Sequence, residues 1–200
     1  MIATDKLSWM RQQHYQMAEP CPEWWSFIHQ NMINPAALEP HCGTIGVALC
    51  KSLDASNGDR LFEFSSKGIA CVVIEALCFQ REGGNKNPYV ADLVAWSLQA
   101  PNSFATALGT GEGCELLGAW SACRTDRSPL TVHRTPLAWL KAGCEGCVVL
   151  KQEGGGFWLN KAGAPFVCED AEHAKAVRDL LGPSGHHHKI LIPNSERKAA

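Results

Sequence analysis

The sequence predicts an α+β fold: a mixed β-sheet covered by helices, α/β-like towards the C-terminus, with a helical N-terminal segment. Three patterns carry this expectation. Leu7, Met10, His14 and Met17 recur at helical spacing over residues 5–17. Two apolar runs, Ile69–Phe79 and Tyr89–Leu98, flank the Gly/Asn/Pro-rich "QREGGNKNP", as in an antiparallel hairpin. The last third reads strand–helix–strand and then strand–helix.

The elements follow in order. After the first helix, Pro20 and Pro22 interrupt, and "EWWSFIHQN" (23–31) forms a second helix carrying Trp24, Trp25 and Ile28. Asn34-Pro35 is a cap and first-turn signal for a short third helical turn that ends before Pro40. "TIGVALCKSL" (44–53) fits helix or strand, "ASNGDR" (55–60) is a turn, and "RLFEFS" (60–65) alternates as a strand. Pro101-Asn102-Ser103 opens a short helix over "FATAL" (104–108), and "GCELLGAW" (113–120) stays undecided. "LTVHR" (130–134) is a strand. Thr135 then caps a helix with Pro136 at its first position and Gly143 as its left-handed stop. "CVVLK" (147–151) is a strand, "QEGGG" (152–156) a turn, and "FWLN" (157–160) a further short piece. "PFVCE" (165–169) leads into a helix from Ala171 to Leu181, capped by Asp170 and stopped at Gly182-Pro183, and "KILIP" (189–193) adds an edge strand. This divides the chain into a helical segment 1–40, a mixed-sheet domain 41–192 and a frayed tail 193–200.

Composition narrows the class. Hydrophobic residues make up 46% and charged residues 19%, the balance of a globular chain. No apolar run approaches the roughly 20 residues of a membrane helix, and the N-terminus lacks the apolar segment of a signal peptide. A cytoplasmic protein is expected. Its ten cysteines then read as small buried hydrophobes rather than a disulfide framework. The net charge of −2, from 18 basic and 20 acidic residues, leaves no basic run to hold phosphates, so nucleic acid is not supported as a partner.

Four constellations bear on chemistry. Cys144-x2-Cys147 with Cys168 and His173 would complete a Cys3His zinc set. Its flanks read as structure, since Gly143 ends a helix and Cys147 opens an apolar strand. A thioredoxin-type pair should follow a strand and open a helix, the reverse of this order. His186, His187 and His188 could ligate a metal only with further ligands, and read as a solvated loop. Glu75, Asp92, Glu169 and Asp170 lie within or at the ends of apolar strands, where carboxylates hold magnesium in phosphoryl-transfer sites. The plain reading turns Glu75 and Asp92 to solvent and makes Asp170 a helix cap. Finally, a Cys-His-acid set from Cys144 or Cys147 with His133 is one of many combinations that ten cysteines and eight histidines allow. The Gly-x-Gly-x-Gly of "ALGTGEG" (107–113) lacks dinucleotide-fold spacing and reads as a loop.

Three family patterns bear on these motifs. The strand ending "CED" and entering a helix is similar in outline to the Toprim arrangement of primases and topoisomerases. The later Asp-x-Asp and the glycine beside the glutamate are missing. A restriction-nuclease pattern would want Glu-x-Lys after Asp92, where "ADLVAW" stands. "VHRTPLAWLKAGCEG" (132–146) with "VADLVAWSL" (90–98) resembles segments of proteins carried in bacterial prophages and related mobile elements. That resemblance implies a bacterial cytoplasmic setting near replication functions, brings no catalytic residues, and leaves out the first 40 residues.

The leading expectation is a non-enzymatic accessory or interaction protein, with Trp9, Trp24 and Trp25 as a partner surface. On that reading, deleting residues 1–34 spares the fold. The alternatives are a magnesium-dependent enzyme of nucleic acids or nucleotides, and a structural zinc protein.

Overall fold

The computed structural model describes residues 3–17, 22–41, 44–54, 60–82, 85–100, 103–108, 114–122 and 128–193. Cys21, Cys42 and Cys123, the turn at 55–59, most of the Gly-x-Gly-x-Gly loop (109–113) and the tail 194–200 lie outside the described residues.

Helices α1 (Ala3–Met17) and α2 (Pro22–Gln30) and a 3-10 turn over Pro35–His41 lead into β1 (Ile45–Asp54), β2 (Arg60–Phe64), β3 (Ile69–Glu82), β4 (Asn85–Ser97) and β5 (Phe104–Thr106). These strands close into a barrel in the order β1-β2-β5-β4-β3. Every neighbouring pair is antiparallel except β2 and β5, which run parallel through Leu61 and Thr106. The chain continues through β6 (Leu116–Leu117), α3 (Ala119–Ala122), β7 (Leu130–His133), α4 (Pro136–Lys141), β8 (Cys147–Val149), α5 (Gln152–Ala162), β9 (Phe166–Val167), α6 (Ala171–Leu181), a second 3-10 turn (Gly182–His187) and β10 (Ile190–Leu191). Here the sheet order is β10-β9-β7-β8-β6, with β6 antiparallel and the other pairs parallel. The fold is α+β as expected, but the one mixed sheet is two: a closed barrel and a mixed sheet. No described helix is long and apolar enough to cross a membrane.

Local signals held where a capping residue or a hairpin decided the structure. Thr135 caps α4 by accepting from the Ala138 N–H (3.2 Å), Asp170 caps α6 through the His173 N–H (2.8 Å), and Gly143 takes its left-handed φ of 68°. The β3–β4 hairpin forms, but its strands run on through most of the segment read as a loop, pairing Gln80 with Asn87 and Glu82 with Asn85.

Two expectations are corrected. Phe104–Thr106 is strand rather than helix, because pairing with Val94–Trp96 of β4 supplies the barrel's closing strand and overrides local propensity. Residues 152–160, read as a turn and a short piece, belong to α5. Its three glycines are there for close approach. A Cβ at Gly154 would meet the Glu115 side chain at 2.1 Å, one at Gly155 the Val149 side chain at 2.6 Å, and one at Gly156 the Leu180 carbonyl oxygen at 2.5 Å.

Three apolar clusters hold the parts together. Inside the barrel, Ala48, Cys50, Phe62, Cys71, Val73, Leu93 and Ala95 meet Leu7 and Met10 of α1. The opposite faces of β3 and β4, with Val72, Ile74, Val94 and Trp96, pack against α2, α4 and β8 through Phe27, Ile28, Leu140 and Val148. The third cluster lies between the mixed sheet and its helices and includes Cys147, Phe166, Cys168, Val177 and Leu181. The described helices of residues 1–40 therefore contribute to the cores, with Met10, Phe27, Ile28 and Ile33 all buried. That burial argues against the expectation that deleting residues 1–34 spares the fold.

Candidate ligand-binding cleft

A cleft of about 640 Å³ opens where the barrel, the first 3-10 turn and the mixed sheet meet. Its walls are His41 and Thr44, Ile74 and Glu75 of β3, Trp120 of α3, and Trp139 with Cys144 and Glu145 around the α4–β8 connection. That connection is built tightly. Gly143 packs against the 3-10 turn, where a Cβ would come within 2.9 Å of the Ala37 side chain. Gly118 (φ 76°) lies under the Gly146 carbonyl oxygen, 2.3 Å from where its Cβ would be. The Trp139 indole N–H donates to the same carbonyl (3.2 Å), which fixes the ring. His41 sets its imidazole 6.3 Å from the Trp139 ring at a tilt of 58°.

The electrostatics are mild. Burial pulls the His41 pKa below its usual value and pushes the Cys144 thiol up to about 12, so both are neutral at pH 7. The Glu75 carboxylate is buried and pairs with the Arg11 guanidinium at 2.9 Å. Glu145 is exposed at the rim. The cleft therefore offers aromatic faces, hydroxyls and carboxylate acceptors, with no lysine or arginine among its lining residues.

A second cleft, about 760 Å³, lies at the C-terminal ends of β7 and β8, beside α6. His133, Arg134 and His173 line it, but the polar groups are largely committed to one another. Arg134 reaches Asp170 at 2.6 Å, Glu169 at 3.4 Å and Glu172 at 3.5 Å. His133 Nε2 donates to the Glu145 carbonyl (3.0 Å), and His173 Nδ1 accepts from the Glu169 N–H (3.3 Å). Burial lowers both histidine pKa values, so the rings are neutral at pH 7.

The residues singled out in the sequence are dispersed by the fold. Glu75 and Cys144 line the first cleft, and Glu169 and Asp170 flank the second. Asp92 lies apart, fully buried beside the bulge that Ala91 makes opposite Ala76 and Leu77, its Oδ1 accepting from the N–H groups of Leu93, Ala107 and Leu108. The four acids thus do not share a cleft, and Glu75 and Asp92 are buried rather than turned to solvent. The zinc set is also corrected. Cys144 joins the core between barrel and sheet, whereas Cys147 and Cys168 join the core under α5 and α6. Among the described residues no group of three or more His, Cys, Asp or Glu side chains is placed to hold a metal ion. All seven described cysteines are buried and unbridged.

His187 ends the 3-10 turn after α6, and His188, the next residue, sits 5.1 Å from the Phe166 ring. Trp9 and Trp25 are half exposed, at 50% and 51%, while Trp24 packs against Phe27. Sequence reasoning missed His41, Thr44, Trp120 and Trp139, which are brought together from segments up to a hundred residues apart. Trp139 carried the one available signal, an aromatic in a capped helix just before a glycine-rich turn.

Fold and cleft together define an α+β protein of barrel-plus-sheet type with a ligand-sized opening at the junction. No protein-family model matches the chain, and neither curated proteins nor solved structures give a match.

Proposed function

We propose that this protein acts by binding rather than by chemistry, as an accessory protein of the cytoplasm, with the cleft between barrel and sheet as its ligand site. The lining carries the reading: the Trp120, Trp139 and His41 rings stand beside two carboxylates in about 640 Å³, within the usual span of small-molecule pockets. Aromatic faces and acceptors together suit a flat ligand that donates hydrogen bonds, such as an amino-substituted nitrogen heterocycle or an aryl amidine. A mobile-element origin is supported by the resemblance of residues 90–98 and 132–146. A protein partner is the second reading, favoured by the exposure of Trp9 and Trp25. The magnesium-enzyme alternative draws no support from acids that lie in three separate places.

Trp120 is 59% exposed, so its replacement should leave the cores intact. Adenine and benzamidine, titrated separately and followed by ligand-observed NMR, should show saturable binding. Trp120→Ala should weaken it at least about tenfold, the equivalent of about 1.4 kcal/mol. Absence of saturation, or equal affinity in the variant, would sink the assignment.

A further inference from the structure

Two imidazoles line the second cleft, and the backbone fixes what each of them offers there. His133 Nε2 lies 3.0 Å from the Glu145 carbonyl oxygen. A carbonyl only accepts, so Nε2 carries the proton and Nδ1 keeps a lone pair. His173 Nδ1 accepts the Glu169 N–H at 3.3 Å, so that ring carries its proton on Nε2. The His133 ring is held edge-on by the α4–β8 connection. A Cβ at Gly146 would stand 3.0 Å from Nε2 and 3.2 Å from Cδ2, which turns Nδ1 away from that connection. Among the described residues neither His133 Nδ1 nor His173 Nε2 has a hydrogen-bond partner, and neither is sealed from solvent. The cleft thus presents one fixed acceptor and one fixed donor.

We propose that this cleft is a second ligand site, separate from the one between barrel and sheet, and that it takes an uncharged carboxamide or lactam carried on a flat apolar body. The amide N–H donates to His133 Nδ1, and the amide carbonyl accepts from His173 Nε2–H. Val132, Val149, Val177 and Leu180 supply the apolar wall for the rest of the ligand. The surroundings select against charge. Arg134 is already shared by Asp170, Glu169 and Glu172, so one cation stands against three carboxylates. A ligand carboxylate would meet those acids, and its oxygens would face the His133 lone pair with nothing to donate. An amidinium has only donors, and would leave the His173 N–H opposed. Burial, which lowers both imidazole pKa values, helps to keep the rings in these neutral forms.

The test titrates benzamide and benzoate separately into the full chain at about pH 8, where imidazoles are neutral. Proton–nitrogen NMR correlations of the histidine rings give the readout. Benzamide should bind saturably and shift the His133 Nδ1 and His173 Nε2 signals together, whereas benzoate should shift neither. Two variants remove one function each. In His133→Gln the new amide nitrogen can still donate to the Glu145 carbonyl, but the acceptor is gone. In His173→Asn the new amide oxygen can still take the Glu169 N–H, but the donor is gone. Each should weaken benzamide about tenfold. Trp120→Ala, in the first cleft, should leave the ring shifts unchanged, so this site and the first are tested apart. The wild-type ring signals decide the matter even if a variant fails to fold. Lack of saturation, ring signals that stay put as benzamide saturates, or benzoate binding as tightly as benzamide would each overturn the proposal.

Discussion

Asp92 shows how much can depend on one buried carboxyl. Its Oδ1 gathers three backbone N–H groups, while Oδ2 is buried without a hydrogen-bond partner. Burial outweighs those N–H groups and raises its pKa to about 6, so the fold favours the protonated form. That contribution is complete below about pH 4, where the unfolded carboxyl is also protonated, and is lost as pH rises to about 6. Above pH 6 the ionised group burdens the fold by about 3 kcal/mol. Asp92→Asn keeps an acceptor for the three N–H groups and carries no charge. In urea unfolding, the stability of the variant relative to the wild type should therefore grow between pH 4 and pH 7; a difference that does not vary with pH would refute this account. None of it was legible in "VADLVAW", because an acid alternating with apolar residues is also the pattern of a half-exposed strand.

At the level of elements, legibility followed the range of the deciding contact. Thr135, Pro136 and Gly143 delimit α4 through bonds within a few residues, and those signals can be read directly. Helix α5 could not be, because its glycines answer to Glu115, Val149 and Leu180, all supplied by other elements. Gly156 makes the sharpest case. Alanine there should add about 1 kcal/mol of helix propensity, yet its Cβ would press on the Leu180 carbonyl oxygen, a backbone atom of α6 that cannot turn aside. Overpacking of this kind costs about 1–3 kcal/mol. Gly156→Ala should therefore lower the thermal midpoint despite the better helix former; a raised midpoint would show that α5 and α6 can separate freely.

For the whole molecule, strands β7 to β10 with helices α4 and α6 were readable in order, because the signals that delimit them are local. The barrel was not, since its closure joins Leu61 to Thr106 and nothing in either segment names the other. The same holds for the first cleft, whose rings come from the 3-10 turn, α3 and α4. The N-terminal helices belong to this scale too. Met10 is buried inside the barrel's cluster, and Met10→Ala should cost about 2–5 kcal/mol in one cooperative transition. Removing residues 1–34 should leave a chain without the dispersed amide resonances of a folded protein. If that truncated chain folds, α1 and α2 are appendages after all.

The docking of α1 also sets an order of events during synthesis. The Lys6 ammonium donates to the Ala107 carbonyl at 2.6 Å, a partner 101 residues further along the chain. At about 5–20 residues per second, α1 waits roughly 5–20 s for the end of the barrel that receives it. Through that interval the apolar side of α1 has no native seat, and the barrel that provides one closes only through non-local pairings of the slow-forming kind. Helix α1 is thus made well before it can be buried, and over that interval it is open to proteases and chaperones.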